Sequence, residues 1–271
     1  MSDDMSGGVP VLRARGLTLR YPGADAAVFQ DVNLDLARGE VLAVLGASGA
    51  GKSSLLRVLA GLQAPSAGAL DMEGQRLAGV HPRVAVAFQD PGLLPWLTLE
   101  RNVAFGLDFK HQPALDARER ARRVDLAIEE VGLSHARQLR PAQLSGGMAQ
   151  RTALARCLAR QPAVLLLDEP FGALDEVTRA EMQTLLRKVV ADVGAAALLI
   201  THDIDEALLL ADRIVLLGGA PGGVLGEWAV DLPQPRADLL PEMGALRLEI
   251  LSRLRGALRA GRAASEPAVP V

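Results

Sequence analysis

The chain has 271 residues, of which 49% are hydrophobic and 23% are charged, and its net charge is −3. These values are typical of a globular protein with room for one large domain and a subdomain. They do not favour a nucleic-acid-binding surface, the single cysteine excludes an internal disulfide, and no apolar run reaches the ~18 residues of a membrane span. We therefore expect a cytosolic protein that reaches a membrane only through a partner.

The N-terminal part of the chain is predicted to consist mainly of short strands. Residues 1–8 are acidic and glycine-rich without an export signal, and we expect them to be disordered. Residues 9–44 alternate apolar and polar side chains between turn formers. This pattern predicts antiparallel strands that lead into a buried strand at Val41–Leu45. A helix is expected from Lys52 to about Ala60.

The middle of the chain changes from strand to helix patterning. Residues 66–90 predict another strand pair followed by the strand VAVAF. The stretch ALDARERARRVDLAIEEVGL then has helical periodicity, with Val124, Ile128 and Val131 on one face and charges on the other. We expect a helical subdomain at about residues 91–152.

The following part of the chain alternates strands with helices. Strands are predicted at Val164–Leu167, Ala197–Ile200 and Ile214–Leu217, and helices at about 176–192 and 204–211. Such an alternation makes parallel sheets that are covered by helices on both faces. We therefore expect an α/β fold with a doubly wound core, an N-terminal antiparallel β subdomain and an inserted α-helical subdomain.

The C-terminal part is predicted to extend a main domain that covers residues 9–220. In the extension, residues 221–260, one amphipathic helix is expected over residues 242–259. Its apolar stripe consists of Met243, Leu246, Ile250, Leu254 and Leu258. The stripe serves either core packing or a regulatory contact, and residues 261–271 are expected to be disordered.

The most specific motif is GASGAGKS at residues 46–53, which matches the pattern G-x-x-x-x-G-K-[ST] between a predicted strand and a predicted helix. Glycines allow successive backbone N–H groups to wrap phosphates, Lys52 reaches the β- and γ-phosphates, and Ser53 ligates Mg²⁺. The predicted nucleotide-binding residues of this P-loop are Gly46, Ala47, Ser48, Gly49, Ala50, Gly51, Lys52, Ser53 and Ser54. The expected fold class is therefore that of a P-loop NTPase.

Further polar residues follow predicted strands. The stretch VLLLDEP places Asp168 and Glu169 at the carboxyl end of a strand, where α/β sheets bind their ligands. Asp168 is predicted to hold Mg²⁺, and Glu169 to polarise the attacking water as a general base. Gln89 could contact Mg²⁺ or that water, and His202 could donate to the γ-phosphate or hold the water. Gln89 and His202 could each also be an ordinary surface residue.

A second anion site is predicted from LSGGMAQRTALARCLA, residues 144–159. A serine and two glycines directly before a helical run offer backbone N–H groups at the positive end of a helix dipole. This stretch has no lysine and no carboxylate for Mg²⁺, so it differs from the P-loop. Cys157, within the helical run, is expected to be a small core residue.

Taken in order, these motifs resemble those of the nucleotide-binding subunit of ABC transporters over about residues 10–220. The ordered set is the aromatic Tyr21, the Walker A motif at 46–53, the Q-loop Gln89, the signature Leu144, Ser145, Gly146, Gly147 and Met148, the Walker B pair Asp168 and Glu169, the D-loop Asp175, and the switch His202. The resemblance implies ATP and Mg²⁺ as cofactors, with Tyr21 stacked on adenine, Phe29 in the core, and Ser53, Gln89 and Asp168 toward the metal.

The resemblance also explains the second anion site. It implies a head-to-tail homodimer in which the signature of one subunit closes over the ATP held by the P-loop of the other. Glu169, Gln89 and His202 are then the catalytic residues. Met148 stands where the family most often has Gln, which leaves open any contact made through that Gln side chain.

A narrower resemblance rests on LLPWLT after Gln89 and on APGG followed by DLPQPR. These stretches resemble the ATPase subunits of nitrate, alkanesulfonate and taurine importers, and also those that import thiamine-precursor pyrimidines. The resemblance implies separate integral membrane permease subunits, a periplasmic or lipid-anchored solute-binding protein, and a peripheral location at the cytoplasmic face of the inner membrane. Trp96 either faces the permease or fills the core of the helical subdomain.

One alternative is the ATPase of an exporter with separate membrane chains. Another is a soluble ABC ATPase that is not coupled to transport. Such proteins act in DNA repair, translation or iron–sulphur assembly. The chain has neither a long coiled-coil insertion nor a second ATPase half. These features favour the importer.

Overall fold

The computed structural model describes residues 9–107, 112–239 and 241–265, with the backbone alone for residues 259–265. The chain forms two compact units. The first unit comprises the chain up to Gly79 and again from Leu198, and the second unit comprises Val80–Ala197. The predicted disordered segment 1–8 and the last six residues of the predicted tail lie outside the described residues.

The described residues form ten β-strands and seven α-helices. The strands are β1 (Leu12–Leu19), β2 (Phe29–Leu36), β3 (Val41–Leu45), β4 (Ala67–Met72), β5 (Gln75–Arg76), β6 (Val84–Ala87), β7 (Val164–Asp168), β8 (Ala196–Thr201), β9 (Arg213–Gly218) and β10 (Gly223–Ala229). The helices are α1 (Lys52–Leu59), α2 (Leu99–Ala104), α3 (Ala117–Glu130), α4 (Gly146–Leu158), α5 (Glu176–Val193), α6 (Ile204–Leu210) and α7 (Gly244–Ser265). None of these helices combines the length and the apolar character that crossing a membrane requires.

The first unit begins with an antiparallel sheet in the order β2-β1-β4-β5. Side chains along β1 alternate mostly between buried and more exposed positions, as in a strand with one face on a core. Leu12, Leu17 and Phe29 are fully buried there. The predicted N-terminal antiparallel strands and the core position of Phe29 are therefore confirmed.

The first unit also contains the strand order β10-β9-β3-β8. Strands β3 and β9 pair in parallel from Leu42 and Arg213 to Leu45 and Leu216. Every residue of β3 and β8 is buried, which is typical of strands covered by helices on both faces. The P-loop follows β3 directly, and His202 follows β8, so two predicted site elements are attached to rigid strands.

The second unit pairs β6 and β7 in parallel, from Val84 and Val164 to Ala87 and Leu167. Its helix α3 buries Val124 and Ile128, as the helical periodicity predicts. Cys157 of α4 is buried as well, which confirms its expected place in a core.

The short helix α2 was not predicted. It spans six residues, which is too few to display a helical period, although the hydroxyl of Thr98 caps it by accepting a hydrogen bond from the N–H of Arg101.

The C-terminal extension differs from the prediction at two places. It contains β10, which pairs antiparallel with β9 and which the sequence pattern does not reveal, because Gly223 and Gly226 interrupt its alternation. Helix α7 continues to Ser265, beyond the predicted end at residue 259, in keeping with the helix propensity of Ala and Arg. Met243 and Ile250 are buried, which supports core packing for that part of the stripe.

Candidate functional site

The P-loop wraps around the side chain of its own lysine. Lys52 is only 7% exposed, and its Nζ donates hydrogen bonds to the carbonyls of Gly46 (2.8 Å) and Ala47 (3.1 Å). Gly51 precedes α1 with φ 88°, a left-handed conformation that favours glycine. A Cβ at Gly51 would also lie 3.1 Å from Cγ1 of Val28. The loop thus holds a cation beside the N-terminus of α1, an arrangement suited to bind phosphate.

Tyr21 lies beside helix α1, as its predicted role requires. Its ring is exposed (41%), and its hydroxyl lies 3.5 Å from the Oγ of Ser54. The hydrogen bond to Ser54, followed by one to Gln63, lowers the pKa of the Tyr21 hydroxyl. An exposed aromatic face next to a P-loop helix is available for stacking on a base.

His202 belongs to a short connection between β8 and α6. The buried Thr201 accepts a hydrogen bond at Oγ1 from the N–H of Asp203 (3.0 Å). Asp203 then caps α6, because its carboxylate accepts from the N–H groups of Asp205 (2.9 Å) and Glu206 (3.2 Å). His202 itself is exposed between these two anchored residues. The structure therefore assembles the P-loop, Tyr21 and His202 within the first unit.

In the second unit, the acidic pair ends strand β7. Asp168 is its last residue, and Glu169 follows with φ 46°. A left-handed conformation at a residue other than glycine costs about 1–3 kcal/mol and is frequent at functional sites. A Cβ built on Gly172 would lie 3.4 Å from Nε2 of Gln89 and 3.9 Å from Oε2 of Glu169. The structure thus brings the Gln89 amide and the Glu169 carboxylate to one place.

The signature stretch forms the capped N-terminus of α4. Ser145 accepts a hydrogen bond at Oγ from the N–H of Met148 (3.2 Å), and Ser145 and Gly146 are exposed. Leu144 and Met148 are partly buried, and the Met148 carbonyl accepts from the hydroxyl of Thr152 (2.7 Å). The exposed start of this helix agrees with the anion site that the sequence predicts.

The D-loop residue Asp175 caps the neighbouring helix α5. Its carboxylate accepts from the N–H (3.0 Å) and the hydroxyl (2.7 Å) of Thr178, and these bonds lower the pKa of Asp175. The methyl group of Thr178 lies against Gly147, where a Cβ would come within 2.4 Å of it. Thr178 therefore connects the D-loop with the signature within one chain. Thr178 could not be predicted from the sequence, because only the fold places α5 against α4.

Substitution of Gly147 by Ala is expected to destabilise the second unit. The added methyl group would overlap Thr178, whose rotation is restricted by its hydrogen bond to Asp175. Overpacking of this kind costs about 1–3 kcal/mol of unfolding free energy. Gly146→Ala is the matched control, because no atom lies within 4 Å of its added Cβ. Urea denaturation measures both variants, and an equal change in both would contradict the packing argument.

The sequence is similar to known proteins of one family. A profile of the family described as ABC transporter matches residues 29–172. The aliphatic sulfonates import ATP-binding protein 1 of Xanthomonas axonopodis pv. citri is 46% identical over 83% of this chain and 90% of its own length. The nitrate transport protein of Klebsiella oxytoca is 40% identical over 84% of this chain and 88% of its own length.

A solved structure with 29% sequence identity has the same fold. It is a dimeric, post-hydrolysis state of an ATP-binding cassette bound to ADP and phosphate, with a TM-score of 0.71 over 82% of this chain and 100% of that one. Fold and motifs together define an α/β P-loop ATPase. The chain belongs to the ABC transporter family and is one of its ATPase subunits. The predicted family and fold class are thereby confirmed.

Proposed function

We propose that the protein is the ATP-hydrolysing subunit of an importer for a small solute of the nitrate, alkanesulfonate or taurine type. The observation that carries this proposal is the ordered set of ATPase motifs in a chain of the ABC transporter family. The P-loop encloses Lys52, the signature caps a helix, and Glu169 directly follows a buried strand. The relatives named above support the class of cargo, because one is named for the import of aliphatic sulfonates and the other for the transport of nitrate.

In the proposed site, the first unit binds the nucleotide. Residues 46–54 hold the phosphates through backbone N–H groups, and Lys52 leaves its carbonyl partners to pair with the β- and γ-phosphates. Tyr21 stacks on the adenine. The exposed hydroxyl of Ser53 and the partly exposed carboxylate of Asp168 offer the oxygen donors that Mg²⁺ prefers, with Gln89 as a further ligand.

Mg²⁺ is a proposal that the chemistry of these donors supports. Within the described residues no cluster of three or more His, Cys, Asp or Glu side chains could hold a metal. Mg²⁺ at phosphate sites is usually held by one or two protein groups together with the phosphates, and Ser53 in the first unit and Asp168 in the second unit each carry an oxygen donor of that type. When bound, Mg²⁺ neutralises charge on the phosphate oxygens.

Hydrolysis is assigned to three side chains. Glu169 accepts the proton of the attacking water, and the nearby amide of Gln89 orients that water. His202 donates a hydrogen bond to the γ-phosphate. The carboxylate of Asp175 caps α5. We therefore propose that Asp175 fixes the conformation of the D-loop.

We propose that two copies of the chain close around two ATP molecules. The signature Leu144–Met148 of one subunit then offers the N-terminus of α4 to the γ-phosphate bound by the other. Closure is a population shift, because ATP binds the closed dimer better than the open one. Hydrolysis removes that preference and lets the dimer reopen.

The proposed partners are integral membrane permease subunits and a periplasmic or lipid-anchored solute-binding protein. Trp96 supports a permease contact, because its side chain is 67% exposed, which excludes the alternative of a core aromatic. Phe88 and Phe105 are exposed in the same unit. The proposed location is the cytoplasmic face of the inner membrane.

A pull-down from detergent-solubilised membranes tests this function. Glu169→Gln protein with ATP serves as bait, and Trp96→Ala protein is the matched control. The proposal expects a polytopic permease with the first bait and less of it with the second. Ligand assays on an associated solute-binding protein then identify the cargo. A pyrimidine cargo would contradict the proposed nitrate, alkanesulfonate or taurine type. Recovery of soluble proteins alone would favour a soluble ABC ATPase.

A further inference from the structure

The C-terminal extension holds helix α6 at both of its ends. This helix directly follows His202, and its N-cap Asp203 is the neighbouring residue. The sequence stretch DLPQPR, residues 231–236, contacts the C-terminal end of α6, and helix α7 contacts its first turn. All of these residues lie in the first unit.

At the C-terminal end of α6, the contact is made by a buried guanidinium. Arg236 is 3% exposed, and its Nη1 donates to the carbonyls of Leu208 (3.1 Å) and Ala211 (2.5 Å). Its Nη2 donates to the carbonyl of Val230 (2.8 Å), and its Nε donates to that of Leu232 (2.9 Å). The last carbonyls of a helix have no partner within the helix, and a cation there is favoured by the helix dipole.

A neighbouring side chain adds to this contact. The Nε2 of Gln234 donates to the carbonyl of Leu209 (2.9 Å). The planar guanidinium of Arg236 has a rigid set of donors, so its bonds to both segments fix their relative position. A buried cation is tolerated only when it is well hydrogen-bonded, which these four carbonyls provide.

At the N-terminal end of α6, the contact is an ion pair from α7. Arg247 donates to the carboxylate of Asp205 through Nε (2.5 Å) and Nη2 (3.1 Å). Asp205 lies in the first turn of α6, beside the cap that Asp203 provides. His202 is separated from this cap by one peptide bond, so a displacement of α6 moves the backbone at His202.

We infer that the C-terminal extension positions His202 for hydrolysis by clamping α6, with Arg236 as the main positioning residue and Arg247 as the second. This inference rests on the proposed role of His202. The two arginines thereby act on the rate of hydrolysis and not on ATP affinity, because these hydrogen bonds join them to α6, to its C-cap and to residues 230–232 rather than to the P-loop.

A double-mutant cycle between Arg236 and His202 tests the inference. Arg236→Lys keeps the charge and removes the fork of donors. We expect about a tenfold lower kcat, because small misplacements of a catalytic group are costly, and a KM for ATP within about twofold of wild type. In the His202→Ala protein, measured by single-turnover hydrolysis, the same substitution should change the rate by less than about twofold, because the group being positioned is gone.

The matched control is Arg160→Lys. The guanidinium of Arg160 donates to the carbonyls of Pro82 (3.1 Å) and Val84 (3.1 Å) in the second unit. Any effect of Arg160→Lys should be the same with and without His202. If Arg236→Lys also lowers the rate equally in both backgrounds, the clamp does not act through His202. A His202→Ala protein with the wild-type rate would instead overturn the proposed role of His202.

Arg247→Gln provides a second variant should Arg236→Lys fail to fold, because the Arg247 side chain is half-exposed whereas that of Arg236 is buried. We expect a smaller loss of kcat that also disappears in the His202→Ala background. Hydrogen exchange should become faster at residues 204–210 and remain unchanged in α1. Uniformly faster exchange, or an unchanged kcat, would contradict the inference.

Discussion

Replacement of Glu169 by Gln is expected to leave ATP binding intact and to lower turnover by about 10²–10⁴-fold, the usual contribution of a general base. Gln has the size of Glu but does not accept the proton of the attacking water. Gln also keeps the polar character of Glu, so we expect the P-loop around Lys52 to keep its conformation. Phosphate release measures turnover, and titration with a fluorescent ATP analogue measures affinity.

Glu73→Gln is the matched control for this experiment. Glu73 is an exposed carboxylate that pairs with Arg38 at 2.6 Å, so its amide variant should keep the wild-type turnover. Near-normal hydrolysis by the Glu169→Gln protein would show that another group is the base.

Replacement of Lys52 by Ala is expected to weaken ATP binding by about 10- to 150-fold, which corresponds to the ~1.5–3 kcal/mol of a hydrogen bond to a charged group. The ammonium group already lies within the loop, where it contacts the carbonyls of Gly46 and Ala47. We propose that it exchanges these carbonyls for phosphate oxygens when ATP binds. Isothermal titration calorimetry gives the dissociation constant.

Lys188→Ala removes an equal charge away from the P-loop. Lys188 pairs with Glu130 and Asp192 on the surface of the second unit, and these carboxylates raise the pKa of its ammonium group. Its loss should leave ATP affinity unchanged. If the Lys52→Ala protein binds ATP as tightly as the wild type, Lys52 does not contact the phosphates.

The elements that could be predicted from the sequence are those with a complete local signal. Strand β3 is a run of buried apolar residues that ends in a glycine-rich loop, and both bounds of the predicted strand Val41–Leu45 agree with the structure. The strand β10 could not be predicted in this way. Its glycines interrupt the alternation of apolar and polar residues, and its hydrogen bonds to β9 stabilise it as a strand. The C-terminal end of α7 is marked by no capping residue in the sequence, so the predicted helix ended before Ser265.

The residues of the candidate site also fall into those with a local sequence signal and those whose roles depend on the fold. The motif residues could be proposed from the sequence, because each has fixed spacing and a defined chemistry, as in the P-loop and the Walker B pair. Thr178 and Arg236 could not, because their roles arise from contacts across the fold with Gly147 and with the end of α6. The stretch DLPQPR contains Arg236 and is a feature of the narrower resemblance, but the sequence does not reveal that its arginine is buried.

Sedimentation velocity of the Glu169→Gln protein, with and without ATP and Mg²⁺, tests the central proposal most directly. Because this variant should bind ATP and hydrolyse it very slowly, the proposal predicts a monomer without nucleotide and a dimer at saturating ATP. Ser145→Arg, which places a bulky side chain at the exposed start of α4, should remain monomeric under both conditions. A Glu169→Gln protein that binds ATP and stays monomeric would contradict the ATP-driven closure on which the proposed transport cycle depends.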